Sequence, residues 1–379
     1  MKTRMKLHLI IYTAFIAVLS SCENEIPYNP GQKEPQLILN ALLDAGQAEN
    51  YAYLHLSEGN SIGKVSQGTL SLYVNGQLAE SPEAMLPKEI YDDVNAFWDK
   101  DAYESALENI DFKKFRLTTA LHPGDRLRLE ATAENGKYRV SSEVTVPQPI
   151  EAVQVDTCSA YVREYGGRTL YRQYKITFAD RPGEKNYYRL EIWNDLRFRC
   201  EWQEYRTDEN GDFIKVEDEN GWHWDAVKRD TVINSRQTAM VTREDVILTD
   251  GHPVSSDDKE NGMFPTIENK YNIFTDNRFG NSSATLKVYT PHYNDLFPFE
   301  GRYYQIYRTH TITVRVLSIS EAQYRYLRAL NTLEDDDYDE ELMDPISLPT
   351  NVEGGLGFVG VCAESKAVLT LPETPLFKN

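Results

Sequence analysis

Cys22 is the residue whose chemistry is easiest to read. It closes the stretch Leu19-Ser20-Ser21-Cys22, after a basic start (Lys2, Arg4, Lys6) and an apolar run from Leu7 to Leu19. Small residues before a cysteine give a signal peptidase access to the bond, and the thiol left at the new amino terminus is an acylation site. The run is too short for a permanent membrane helix, and its basic flank fits a cleaved signal. Residues 1–21 therefore read as a lipoprotein signal peptide and Cys22 as the lipidated residue. Several acyl chains on it would hold the protein at a membrane that a single chain holds only weakly. An ordinary secretory signal with a chance cysteine is the other reading. Residues 22–34, with Glu23, Glu25, Pro27 and Pro30, read as an acidic, proline-bearing tether.

Three further cysteines, Cys158, Cys200 and Cys362, permit at most one internal bridge in an oxidising compartment. Cys158 with Cys200 is the candidate disulfide, and three buried thiols are the alternative. No C-x-x-C pair or H-E-x-x-H occurs, so the cysteines and the seven histidines suggest no zinc site. Gly355, Gly357 and Gly360 match G-x-G-x-x-G, but they lead into Val359-Gly360-Val361-Cys362-Ala363, a strand pattern, where a phosphate loop must open a helix. Close backbone packing or a bulge is the expected role. Asp208, Asn210, Asp212 and Glu219 have calcium-loop spacing, yet Phe213 stands where glycine is needed, and the two Asp-Glu-Asn-Gly copies suit successive hairpin turns better. The acidic run at 334–341 reads as a solvated loop. No G-x-S-x-G elbow is present and the carboxylates are too numerous to single out a pair, so the chain is expected to be non-enzymatic and without a cofactor, with a stand-alone glycan- or peptide-binding module and then a hydrolase as the alternatives.

Trp222-His223-Trp224 is the remaining candidate. At period two both indoles share a strand face, which suits a ligand or partner surface or packing against a core. Sequence alternation leaves both open.

The elements that position these residues are mostly strands. The chain has 379 residues, enough for two domains, and a net charge of −19, which disfavours nucleic acid and anionic membrane surfaces as partners. Its 24 tyrosines suit half-buried strands. Residues 35–148 read as an N-terminal Ig-like β-sandwich, with Asn75-Gly76 and Asn135-Gly136 as hairpin turns. An insertion at 82–112 carries Val94, Phe97, Trp98 and Ala102 at helical spacing, and Trp98 is expected to pack it down. Pro147 and Pro149 mark a boundary, and 150–379 reads as a larger antiparallel β domain, sandwich or barrel-like. Its one helix, near 320–333, has Ser318 or Ser320 as cap, with Glu321 and Gln323 three residues on, and an apolar face of Tyr326, Leu327, Leu330 and Leu333.

Several stretches resemble one bacterial family. They are Pro35-Gln36-Leu37-Ile38-Leu39-Asn40, His122-Pro123-Gly124-Asp125, Phe274-Thr275-Asp276 with Phe279-Gly280, Tyr324-Arg325-Tyr326-Leu327, and above all Asn351-Val352-Glu353-Gly354-Gly355-Leu356-Gly357. Together they resemble the Bacteroidota lipoproteins grouped as domain of unknown function 4249. Glu23-Asn24-Glu25 also resembles the acidic surface-export signal of such lipoproteins. The resemblance implies an outer-membrane lipoprotein, lipid-anchored and facing the cell surface or the periplasm, with a TonB-dependent transporter as neighbour and partner. It implies no site residues.

Overall fold

The structure is a computed structural model that describes residues 34–58, 61–91, 100–164, 167–219, 221–253, 268–293, 305–335, 338 and 346–376. Cys22, Val94, Phe97, Trp98 and most of the acidic run lie outside these residues.

The first layer begins with β1 (Gln36–Asp44), where Leu37, Leu39, Ala41 and Leu43 alternate inward, and β2 (Asn50–Glu58), where Ala52, Leu54 and Leu56 do the same. The short β3 (Ser61–Gly63) and β6 (Lys113–Leu117) extend this layer by pairing with β2. Against it lies a four-stranded sheet in the order β5 (Gln77–Glu80), β4 (Gly68–Val74), β7 (Arg126–Ala133), β8 (Tyr138–Thr145). Leu70, Leu72, Leu127, Leu129 and Ala131 close the core from that side. Each fully buried leucine contributes about 2 kcal/mol through removal of its side chain from water.

The turns follow local chemistry. Asn75 and Gly76 both have positive φ (52° and 82°) and join β4 to β5 with Val74 opposite Gln77, a two-residue hairpin. Asn135-Gly136 also makes a hairpin, but a four-residue one, because Ala133 pairs with Tyr138 and Glu134 is itself left-handed. In the insertion, α1 (Pro87–Ile90) and α2 (Lys100–Glu108) are helical.

The second half is built on a nine-stranded sheet shared with the first. β11 (Tyr187–Tyr205) lies between β14 (Ala226–Gln237) and β17 (Gln305–Ile319), and β17 pairs with β18 (Val359–Pro375), which runs parallel to β1. A three-stranded sheet, β9 (Val153–Glu164), β10 (Gly167–Ala179) and β16 (Ser283–Pro291), covers one face. Tyr174, Ile176 and Phe178 there meet Leu190, Ile192, Ile312, Val314 and Val316. The arrangement is mainly β and sandwich-like, and the sheets do not close into a barrel.

β18 serves both cores. Val359, Val361 and Ala363 belong to the first, while Leu369 and Leu371 pack on the second. Where the two cores meet, Arg315 on β17 is only 2% exposed. Its guanidinium bonds Asp44 of β1, Glu191 of β11 at 2.6 Å and Glu364 of β18 at 2.7 Å, and lies 4.1 Å over the Trp193 ring.

The remaining helix, α3 (Glu321–Leu333), is capped as its sequence predicts, with Ser320 Oγ accepting from Gln323 N at 3.1 Å. Its buried stripe is Gln323, Leu327 and Asn331, with Tyr326 and Leu330 on the flanks. Tyr326 stacks on Phe358 at 4.3 Å.

Candidate functional site

Among the described residues, β11 pairs with β17 as far as Glu201 and with β14 as far as Tyr205 opposite Ala226. Beyond that point the chain forms a tip, with β12 (Lys215–Asp218) and β13 (Gly221–Trp224) as its own hairpin. Backbone bonds from Arg206 N to Asp225 O (2.8 Å), Ile214 N to Arg206 O (3.0 Å) and Asp225 N to Ile214 O (2.8 Å) tie the tip to the ends of β11 and β14.

The register of β12 with β13 places Lys215 opposite Trp224 and Glu217 opposite Trp222, so both tryptophans share a face. That face is open to solvent. Trp222 is 70% exposed and Trp224 44%. Trp224 meets Phe213 edge-on at 5.9 Å, and Phe213 meets Tyr205 at 5.8 Å in the same geometry. Lys215 Nζ lies 4.9 Å from the Trp224 ring. Each ring pair adds ~0.5–1.5 kcal/mol beyond burial, enough to order a small aromatic cluster without a core beneath it. Packing against the second core, the other reading of Trp222 and Trp224, does not occur.

The tip is acidic: Asp208, Glu209, Asp212, Glu217 and Glu219 are all exposed on it, and Lys215 sets one positive charge over the Trp224 ring. Asp208 is occupied by its own turn, its Oδ1 accepting from Asn210 N (2.8 Å) and Asp212 N (3.0 Å). Glu219 lies across the tip in the β12 to β13 turn. The calcium-spaced residues therefore form two turns, and among the described residues no three His, Cys, Asp or Glu side chains converge as a metal ligand set. Tyr205 and Phe213 are members that sequence reasoning missed. Phe213 lies between turns, where no periodicity reports a shared face.

With this geometry established, the chain can be set beside known proteins. The profile of the family described as Domain of unknown function (DUF4249) matches residues 23–367. The chain belongs to this family. No curated protein matches it. A crystal structure of a lamprey immune protein aligns over 92% of each chain at 7% identity with a TM-score of 0.07, which does not indicate a shared fold.

The stretches that carry the DUF4249 resemblance are joints of the fold. Phe274 and Phe279 pack with Phe178 and Tyr188 at ring distances of 5.4 to 6.3 Å. Asp276 accepts from Asn186 N at 2.7 Å. Asn351 donates to Val359 O (2.7 Å) and accepts from Val359 N (2.9 Å), pinning the start of β18. The glycine run threads along β1: Leu356 N donates to Leu37 O, and Leu39 N to Leu356 O. A Cβ on Gly355 or Gly357 would stand 2.2 Å from a β1 carbonyl oxygen. These glycines give close backbone approach, and a strand follows them.

Cys158 and Cys200 are not brought together. Cys158 is exposed on β9 and donates to Gln173, Cys200 is buried on β11, and both are free thiols, as is the buried Cys362. Cys200 and Cys362 pack in the interior, where burial raises the pKa of each thiol. His310 is enclosed in the second core at 4% exposure, with Nε2 3.0 Å from Asn194 Oδ1. Tyr174 OH reaches Thr290 at 3.1 Å beside it. Burial, then Arg172 and Arg308, push its pKa down to about 4. This network ties strands of the two facing sheets together.

Proposed function

We propose that this chain is a non-enzymatic binding protein, lipidated at Cys22 and held at the bacterial outer membrane, that docks on a TonB-dependent transporter. The observation that carries the docking reading is the aromatic tip. Trp224, Phe213 and Tyr205 form an exposed aromatic cluster, with Trp222 exposed on the same strand face, and exposed apolar patches mark interaction surfaces. Tryptophan and tyrosine supply large contact area with few rotatable bonds, which makes them the usual anchors of an interface. The acidic character of the tip favours a partner whose receiving groove has a basic rim. The lipid address rests on the lipobox and the family.

The test is recovery of the tagged chain from its native membrane in mild detergent, followed by mass spectrometry. A TonB-dependent barrel should co-purify with the parent chain and be lost from the Trp222→Ala, Trp224→Ala variant. Equal recovery with both would remove the tip from the interface. The second reading is direct capture of a glycan or peptide, favoured by the exposure of the Trp222 ring. Soluble oligosaccharides or peptides would then quench tryptophan fluorescence of the purified chain without any barrel present.

A further inference from the structure

A cavity of about 300 Å³ lies between the 240–252 loop, β15 (Ile273–Thr275) with the one-turn 3₁₀ helix after it (Asp276–Arg278), and α3. Its floor is apolar, made by Leu248, Ile273 and Phe274. Its polar lining includes three guanidinium groups, Arg243 from the loop, Arg278 from the 3₁₀ turn and Arg328 from α3. Three arginines on one cavity stand out in a chain of net charge −19.

The walls are held independently of any ligand. Asn269 Nδ2 donates to Leu248 O (2.9 Å) and Ile273 O (2.8 Å), and Asn331 Nδ2 donates to Asn269 Oδ1 (3.1 Å). The buried Asp245 carboxylate accepts from Ile247 N and Leu248 N, both at 2.8 Å, and Lys287 N at 2.6 Å. Arg278 Nη2 donates to Asp250 O at 2.6 Å and packs against Gly251, where a Cβ would fall 1.8 Å from that nitrogen. The glycine thus makes room for the guanidinium. A preformed pocket with an apolar floor and a few fixed polar groups is the usual form of a small-molecule site.

Charge narrows the ligand. Asp250, whose carboxylate lies 3.9 Å from Arg278, and Glu268 also line the cavity, so among the described lining residues three arginines stand against two carboxylates, a surplus of one positive charge. That surplus suits a monoanion better than a phosphate dianion. We infer that the cavity binds a small amphipathic monocarboxylate, its head on Arg278 and Arg328 and its short apolar tail over Leu248 and Phe274. Arginine is the side chain whose paired donors match a carboxylate's two oxygens.

The probes are hexanoate and hexanol, which share a tail and differ in charge, followed by saturation-transfer NMR on the full chain. Hexanoate should bind, and hexanol roughly tenfold more weakly, the size of one charge-assisted hydrogen bond. Arg328→Gln, on the exposed side of α3, should weaken hexanoate roughly tenfold with its thermal midpoint unchanged, and Arg278→Gln should weaken it at least as much while also lowering the midpoint, because the bond to Asp250 is lost. Absence of hexanoate binding, equal affinity for hexanol, or parent-like binding by both variants would each overturn the assignment. Inorganic phosphate binding more tightly than hexanoate would overturn the monoanion. The Trp222→Ala, Trp224→Ala variant should bind hexanoate as the parent does, so this site and the docking tip stand or fall separately.

Discussion

His310 shows how one buried side chain sets a pH response. Its ordinary pKa near 6.5 is brought down to about 4 by burial, Arg172 and Arg308, with Asp195 pulling weakly the other way. The folded protein therefore holds the neutral ring, while the unfolded chain takes up a proton once the pH drops below 6.5. The contribution is complete above pH 6.5, is lost as the pH falls to 4, and totals about 3 kcal/mol. Denaturant midpoints of the parent and His310→Gln at pH 7 and pH 4.5 should converge at the lower pH, since the variant lacks this term. Parallel pH slopes would refute it. At the tip, Trp222→Ala should change stability by less than about 0.5 kcal/mol, as an exposed substitution does, while abolishing partner recovery.

At the scale of elements, local signals and their limits separate cleanly. The cap of α3 was legible because Ser320 and Gln323 stand at capping distance, and Ser320→Ala should cost about 1 kcal/mol in a thermal melt. Strands such as β1, β2 and β7 were legible because one face is buried and alternation records it. The pairing of β1 with β18 was not legible. Phe358 N bonds Asn40 Oδ1 across 318 residues, and no local pattern encodes that distance. The glycines before β18 did announce a close approach, and Gly357→Ala tests it. With φ at +108° and a β1 oxygen 2.2 Å from the new Cβ, the variant should lose at least ~2 kcal/mol by chemical denaturation. The candidate site was half legible. Alternation put Trp222 and Trp224 on one face, but whether that face is covered depends on what the rest of the chain packs against it, which is a tertiary fact.

At the scale of the molecule, the two cores are joined by a shared sheet and by Arg315. Replacing Arg315 with alanine would leave Asp44, Glu191 and Glu364 close together with their common cation gone. Breaking a buried ionic cluster on one side costs ~3–5 kcal/mol, so Arg315→Ala should lower the denaturant midpoint far more than loss of any exposed pair. Its partners come from both halves, so parent unfolding should appear as one transition in both intrinsic fluorescence and circular dichroism. Two separated transitions would show that the halves unfold independently. The placement of β18 also orders events in time. Val352, Val359, Val361 and Ala363 fill a core whose other strands are synthesised more than two hundred residues earlier. A nascent chain emerging in order therefore holds an unfinished sandwich until its last strand arrives, and contacts so distant in sequence form slowly. Such a chain stays open during synthesis and locks only once its last strand has emerged.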